Sequence, residues 1–84
     1  MEQFETGMMA RSKSGHDAGK VYVITKVEEA YVYLVDGKVR TLDKPKKKKK
    51  KHVQLIKESF DIQGATDVDI KRWIKIWNKE LKEQ

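Results

Sequence analysis

The chain has no cysteine, one proline, two histidines and only short apolar stretches, of which VYVI and VYLV are typical. Without cysteine there are no disulfides and no thiolate metal ligands, which fits a reducing compartment. Stretches this short fall far below the roughly 20 apolar residues that a membrane-spanning helix needs. The N-terminal MEQFETG is acidic and polar, unlike a secretory signal, so the expectation is a soluble, cytoplasmic protein that does not enter a membrane. His16 and His52, with no cysteine to join them, do not make a metal site. No nucleophile stands at a recognisable spacing from a base, there is no phosphate-binding loop, and no carboxylate pair points to acid–base work; Asp67 and Asp69 are explained by the start of a helix. A chain of 84 residues also buries only about 60 to 65% of its unfolded surface, enough for a modest core but not for a deep catalytic cleft. Neither an enzyme nor a cofactor is expected.

What the chain does have is positive charge, gathered in one place. Its formal net charge is +6. Residues 1–43 carry six basic and seven acidic side chains, residues 58–84 five and six, and residues 44–57 eight basic and none acidic. The excess is centred on DKPKKKKKKHVQ, residues 43–54, which holds the only proline and six consecutive lysines. A like-charge block repels itself in the free protein and is often the interaction element for a polyanion. Foldable segments lie on both sides, so residues 44–51 are expected to form an internal loop, tied down at each end and contributing nothing to folding.

Before the lysines the pattern is that of short strands. MMARS (8–12), KVYVITKV (20–27) and YVYLV (31–35) are read as strands, the second on its β-branched and aromatic content and the third on its two alternating faces. SKSGHDAG (12–19) is a loop in which Gly15 and Gly19 supply positive φ. Asp36-Gly37, between YVYLV and KVRTL (38–42), signals a two-residue hairpin turn with positive φ at both positions. HVQLI (52–56) reads as the last strand. Five short strands in about 50 residues point to a small, strongly bent barrel. The period then changes: Ile70, Trp73, Ile74, Trp77 and Leu81 share one helical face over residues 66–84. Thr66 is placed to cap that helix, with Asp67 and Asp69 at its positive end. Residues 1–6 are expected to be flexible and residues 58–65 to connect barrel and helix.

The stretch from Gly7 to Ile56 resembles a KOW domain, and in particular the KOW proteins of the archaeal and eukaryotic large ribosomal subunit and their small bacterial relatives. The resemblance is carried by Gly7 before a strand, by Gly15, Asp17, Gly19 and Lys20 in the loop, by the strand from Val21 to Val27, by the VDG hairpin and by KHV at residues 51–53. It implies residues 7–57 as an SH3-like five-stranded barrel whose glycine-bearing loop and neighbouring basic residues lie against RNA, usually ribosomal RNA. Some KOW domains, notably those in transcription-elongation factors, bind proteins instead.

Charge supports the same expectation. Seven lysines from Lys44 to Lys51 neutralise phosphates and release counterions, and if five to seven engage, log affinity falls against log salt with a slope of roughly −4 to −6. The candidate RNA-binding residues are Lys13, Gly15, His16, Gly19, Lys20, Lys38, Arg40, Lys44, Lys46, Lys47, Lys48, Lys49, Lys50, Lys51 and His52. Gly15 and Gly19 serve either turn geometry or close approach of backbone amides to phosphate, and Asp17 is read as capping its own loop. Tyr22, Tyr31 and Tyr33 either pack in the core or stack on bases, with packing the default. Trp73 and Trp77 are expected to pack against the barrel; the other reading is a protein partner docked through helix 66–84. The function expected is a monomeric, non-catalytic, ribosomal-RNA-binding protein, with a protein-interaction module of the transcription or translation machinery as the alternative. A nuclear localisation signal and a lipid-surface hook are further readings of PKKKKKK, both requiring a mobile peptide.

Overall fold

The β-branched and aromatic run Val21–Val27 forms the strand that organises the rest, and four consecutive side chains in it, Val21 to Ile24, are buried, as in a strand covered on both faces. The computed structural model describes residues 3–82, with side chains through Lys79. In chain order it contains β1 (Met8–Ser12), β2 (Val21–Val27), β3 (Tyr31–Val35), β4 (Lys46–Lys49), a 3-10 turn (Lys50–His52), β5 (Val53–Ser59) and α1 (Asp67–Lys82). The strands form one antiparallel sheet in the order β4-β3-β2-β1-β5. No described helix is long and apolar enough to cross a membrane.

Alternation along the strands builds two cores on opposite faces. Ala10, Tyr22, Ile24, Val32, Leu34 and Val53 make the inner one. Met9, Val21, Val23 and Val35 face the other way and are covered by Ile70 and its helical neighbours Trp73, Ile74 and Trp77. The two tryptophans are thus packing residues, as expected. Phe60 stacks on Trp73 with ring centroids 4.7 Å apart, and the Arg11 guanidinium lies 5.6 Å from the Trp77 ring. Phe4 packs against the inner core, so the expected flexible N-terminus is anchored at that residue; Met1 and Glu2 lie outside the described residues, as do Glu83 and Gln84 at the other end.

The expected mainly β architecture of five strands and a C-terminal helix is present, and the sheet is curled but not closed. β4 and β5 are its two edges, yet only the turn Lys50–His52 separates them in the chain, so the edges must approach at that corner. Register shifts between Met8 and Met9 in β1 and between Ile24 and Lys26 in β2 supply bends of the kind bulges introduce. Between the edges, polar contacts from the β1–β2 loop take the place of ladder bonds: Lys13 N–H donates to His52 O at 2.8 Å and Lys48 Nζ to Ser14 O at 2.8 Å.

The fourth strand is also not where it was expected. KVRTL forms no strand. Gly37 takes φ +77°, but among the described residues no residue other than glycine has positive φ, so the two-residue turn does not form. Asp36 closes a wider loop instead, its Oδ1 accepting from the N–H groups of Lys38 and Arg40, each at 2.8 Å. The chain then runs to α1, where Leu42 N–H donates to Asp67 Oδ1 at 2.8 Å. It returns as β4, made entirely of lysine and paired with β3.

Helix α1 begins as its sequence indicates. Thr66 Oγ1 accepts from Asp69 N–H at 3.3 Å and Asp69 Oδ2 accepts from Thr66 N–H at 3.0 Å, a reciprocal box. The bond from the Thr66 backbone, and then that from its hydroxyl, hold the Asp69 carboxyl below its ordinary range. Thr66→Ala is expected to cost about 1 kcal/mol in a thermal or urea melt.

Candidate functional site

Because β4 is a strand, its lysines divide by the strand period of two. Lys46 and Lys48 are paired in register with Leu34 and Val32, inner-core residues of β3. Their stems therefore run over the inner core while their ammonium groups reach the β1–β2 loop. There Lys46 Nζ lies 2.9 Å from Asp17 Oδ2 and Lys48 Nζ 2.9 Å from Asp17 Oδ1. Ser12 Oγ donates to Asp17 Oδ1 at 3.0 Å and Tyr22 Oη to Oδ2 at 3.4 Å. Burial alone pushes the Asp17 carboxyl up, but the bonds from Lys46, Lys48 and Ser12 outweigh it and hold the group well below the usual carboxylate range. Burial first, then the charges of Asp17 and Asp36, pushes the Tyr22 phenol up to about 12, so it remains a neutral donor. Two of the six lysines are thus parts of the fold, contrary to the expected loop that contributes nothing to folding, and Asp17 binds β4 rather than only capping its own loop.

Lys47 and Lys49 point the other way. They pair in register with Tyr33 and Tyr31, and Lys26 lies opposite Tyr33 on β2. Lys26, Tyr33 and Lys47 form one row across the sheet, with Tyr31 and Lys49 beside it. Lys47 Nζ stands 4.4 Å from the Tyr31 ring centroid and 5.9 Å from that of Tyr33, and Lys26 Nζ 5.3 Å from Tyr33. Glu28 contacts Lys26 and Lys47 at 3.8 and 3.7 Å, loose exposed pairs that hold little energy. Tyr31 also borders an open hollow with Lys49, Lys50 and Lys51.

A smaller cleft of about 150 Å³ gathers residues from four segments. His16 and Lys20 come from the β1–β2 loop, Val39 and Arg40 from the β3–β4 connection, and Lys46 from β4, with Asp17, Tyr22 and Asp36 completing it. The cleft brings the candidate residues His16 and Lys20 of the β1–β2 loop together with Arg40. Gly15 and Gly19 have φ +81° and +90°, and a side chain at Gly19 would meet nothing, so its glycine is there for the turn. Lys13, Lys44 and Lys51 are exposed, while Lys50 and His52 are half-buried; the Lys50 ammonium lies 5.6 Å from the Phe4 ring. Lys38 stands apart from this cleft, beside α1. Among the described residues no cluster of three or more His, Asp or Glu could hold a metal ion.

Sequence reasoning did not assign Lys26, Tyr31 and Tyr33 to the site. The alternation of YVYLV separated Tyr31 and Tyr33 from Val32 and Leu34, but only the register with β4 sets them among lysines. Comparison with known protein families and with curated proteins finds no match to this chain.

Proposed function

We propose that the protein is a non-catalytic RNA-binding protein of the KOW kind, its curled sheet an SH3-like barrel left open along one seam, and that it binds ribosomal RNA of the large subunit in the cytoplasm. The observation that carries this reading is the outer face of β3 and β4, where Tyr31 and Tyr33 lie among Lys26, Lys47 and Lys49. Lysines there neutralise phosphates, and the rings offer faces on which unpaired bases stack. Lys47 rests on Tyr31 in the free protein; a base that takes its place releases the ammonium to a neighbouring phosphate. Arg40 and Lys20, across the sheet end, grip the backbone, with the arginine fork fixing orientation.

The test is binding to purified large ribosomal subunits and to a DNA duplex, each across a salt titration. The variant replaces Lys44, Lys47, Lys49 and Lys51 by serine and leaves Lys46 and Lys48 in place. Those four side chains account for a slope of about −3 to −4 in log affinity against log salt, and their loss is expected to weaken subunit binding at least tenfold with an unchanged melt. Tyr31→Ala is expected to weaken the subunit complex and leave the duplex unaffected. Subunit binding that survives all four serines overturns the reading in favour of a protein-docking module.

A further inference from the structure

A groove of about 690 Å³ runs between the turn after β3 and α1, bordered by Asp36, Lys38, Lys71, Lys75, Asn78 and Lys79. We propose that this groove is a second surface for RNA phosphates, continuing the path that begins on β4; the proposal rests on the RNA reading above.

Lys71, Lys75 and Lys79 recur every four residues, so they form one row about 12 Å long on the helix. Such a row is a poor choice for folding. Like charges one turn apart weaken a helix, and Lys71 stands near its positive end. Lys79 alone, in the last turn, would be explained by the helix dipole. Lys71 and Lys75, together with Lys38 from a different segment, are not. None of the four lysines has an ion-pair partner among the described residues, and all four are exposed. Asp36 forms no ion pair with them among the described residues; its Oδ1 accepts from the backbone N–H groups of Lys38 and Arg40.

Asp36 also gives the groove its direction. It lines both this groove and the cleft that holds Lys20, Arg40 and Lys46. The two basic depressions are thus separated by a single turn, and Lys38 and Arg40 stand on either side of it. A small anion occupies one depression at most. A polymer of regularly spaced anionic groups crosses the turn and uses both, and the RNA reading above makes that polymer an RNA backbone.

The experiment measures anisotropy of a fluorescein-labelled RNA hairpin, and separately of fluorescein-labelled polyglutamate, across a salt titration. It compares the native chain, Lys71→Gln with Lys75→Gln and Lys79→Gln, and Lys47→Ser with Lys49→Ser and Lys51→Ser. Glutamine keeps helix propensity, and circular dichroism checks the fold; if the triple variant loses helix, the single Lys75→Glu carries the test. The expected result is that the helix variant lowers the magnitude of the salt slope by about 2 to 3, the loss of three phosphate contacts. An unchanged slope in the helix variant, beside a reduced one in the strand variant, overturns the groove and leaves the RNA reading standing. No change in either variant overturns the RNA reading itself. A helix variant that loses polyglutamate binding but keeps its RNA slope assigns the groove to an acidic protein and overturns the proposal.

Discussion

Asp17→Ala is expected to remove about 3 to 5 kcal/mol of folding stability, the usual cost of leaving buried charge without its partner. A domain of 84 residues holds only about 4 to 13 kcal/mol in total, so the variant should be near unfolding at room temperature. Lys48, with a side chain 10% exposed, has little water to turn to. Lys46, at 28%, recovers some hydration, which places the loss toward the lower end. Ser12 retains a second partner in Ser14 O at 3.1 Å, and the long Tyr22 bond contributes little. A urea titration followed by tryptophan fluorescence reads the change, and a loss below about 1 kcal/mol would mean that the pairs behave as surface contacts. Replacing the three charges together, Asp17→Leu with Lys46→Met and Lys48→Met, should recover most of the loss, since apolar groups of similar volume commonly match a buried ion pair.

The same site sets a pH dependence whose sign follows from the depressed carboxyl. In the unfolded chain Asp17 titrates near 3.8, and in the folded protein well below that. Between those two values the unfolded chain takes up a proton that the folded protein refuses, so acid favours unfolding. The contribution is fully present above about pH 4 and is lost as pH falls through and below 3.8 toward the folded value. Asp17→Asn lacks this term, so its stability relative to the native chain should improve steadily as the solution is acidified.

Most of the sheet was legible because its signals are local. β1 and β3 begin and end at the residues their composition marks, β2 differs by one, and the helical period locates α1 with its cap. The lysine run defeated the same reasoning for a physical reason. Adjacent like charges and low β-propensity argue against a strand, and what reverses that balance is Asp17, 29 to 31 positions earlier in the chain. No periodicity reports a partner at that distance. Asp36-Gly37 was misread because its side-chain acceptor bonds the Lys38 and Arg40 amides and opens a longer connection. Of the candidate site, the Gly15–Lys20 loop, Arg40 and the lysines were legible as charge. Which lysines are structural and which lie beside tyrosines became visible only with the register. The lysines of α1 escaped because the helical period does not report that Lys71, Lys75 and Lys79 face Lys38 across a groove.

Two glycines with nearly the same backbone sit in very different surroundings. Gly37 and Gly64 have φ +77° and +78°, so an alanine at either meets the same left-handed strain, about 1 to 2 kcal/mol. Their surroundings differ completely. A Cβ at Gly64 would meet nothing, whereas one at Gly37 would collide with the carbonyl of Asp67 and crowd the N–H of Lys71. Those two groups are four residues apart, the spacing of a helical hydrogen bond in the first turn of α1. Gly64→Ala should therefore lose only the strain, while Gly37→Ala adds an overpacking cost of about 1 to 3 kcal/mol and pushes the helix start off the turn. Because Trp73 and Trp77 pack on the sheet through this helix, the displacement should appear as altered tryptophan emission and weakened near-ultraviolet dichroism in Gly37→Ala alone. Equal losses in the two variants would mean that the turn and helix are not in contact in solution. Lys38 would then hold no fixed position opposite Lys71 and Lys75, and the groove between them would not exist as a binding surface. The stability of one glycine variant thus bears directly on whether α1 can carry RNA contacts at all.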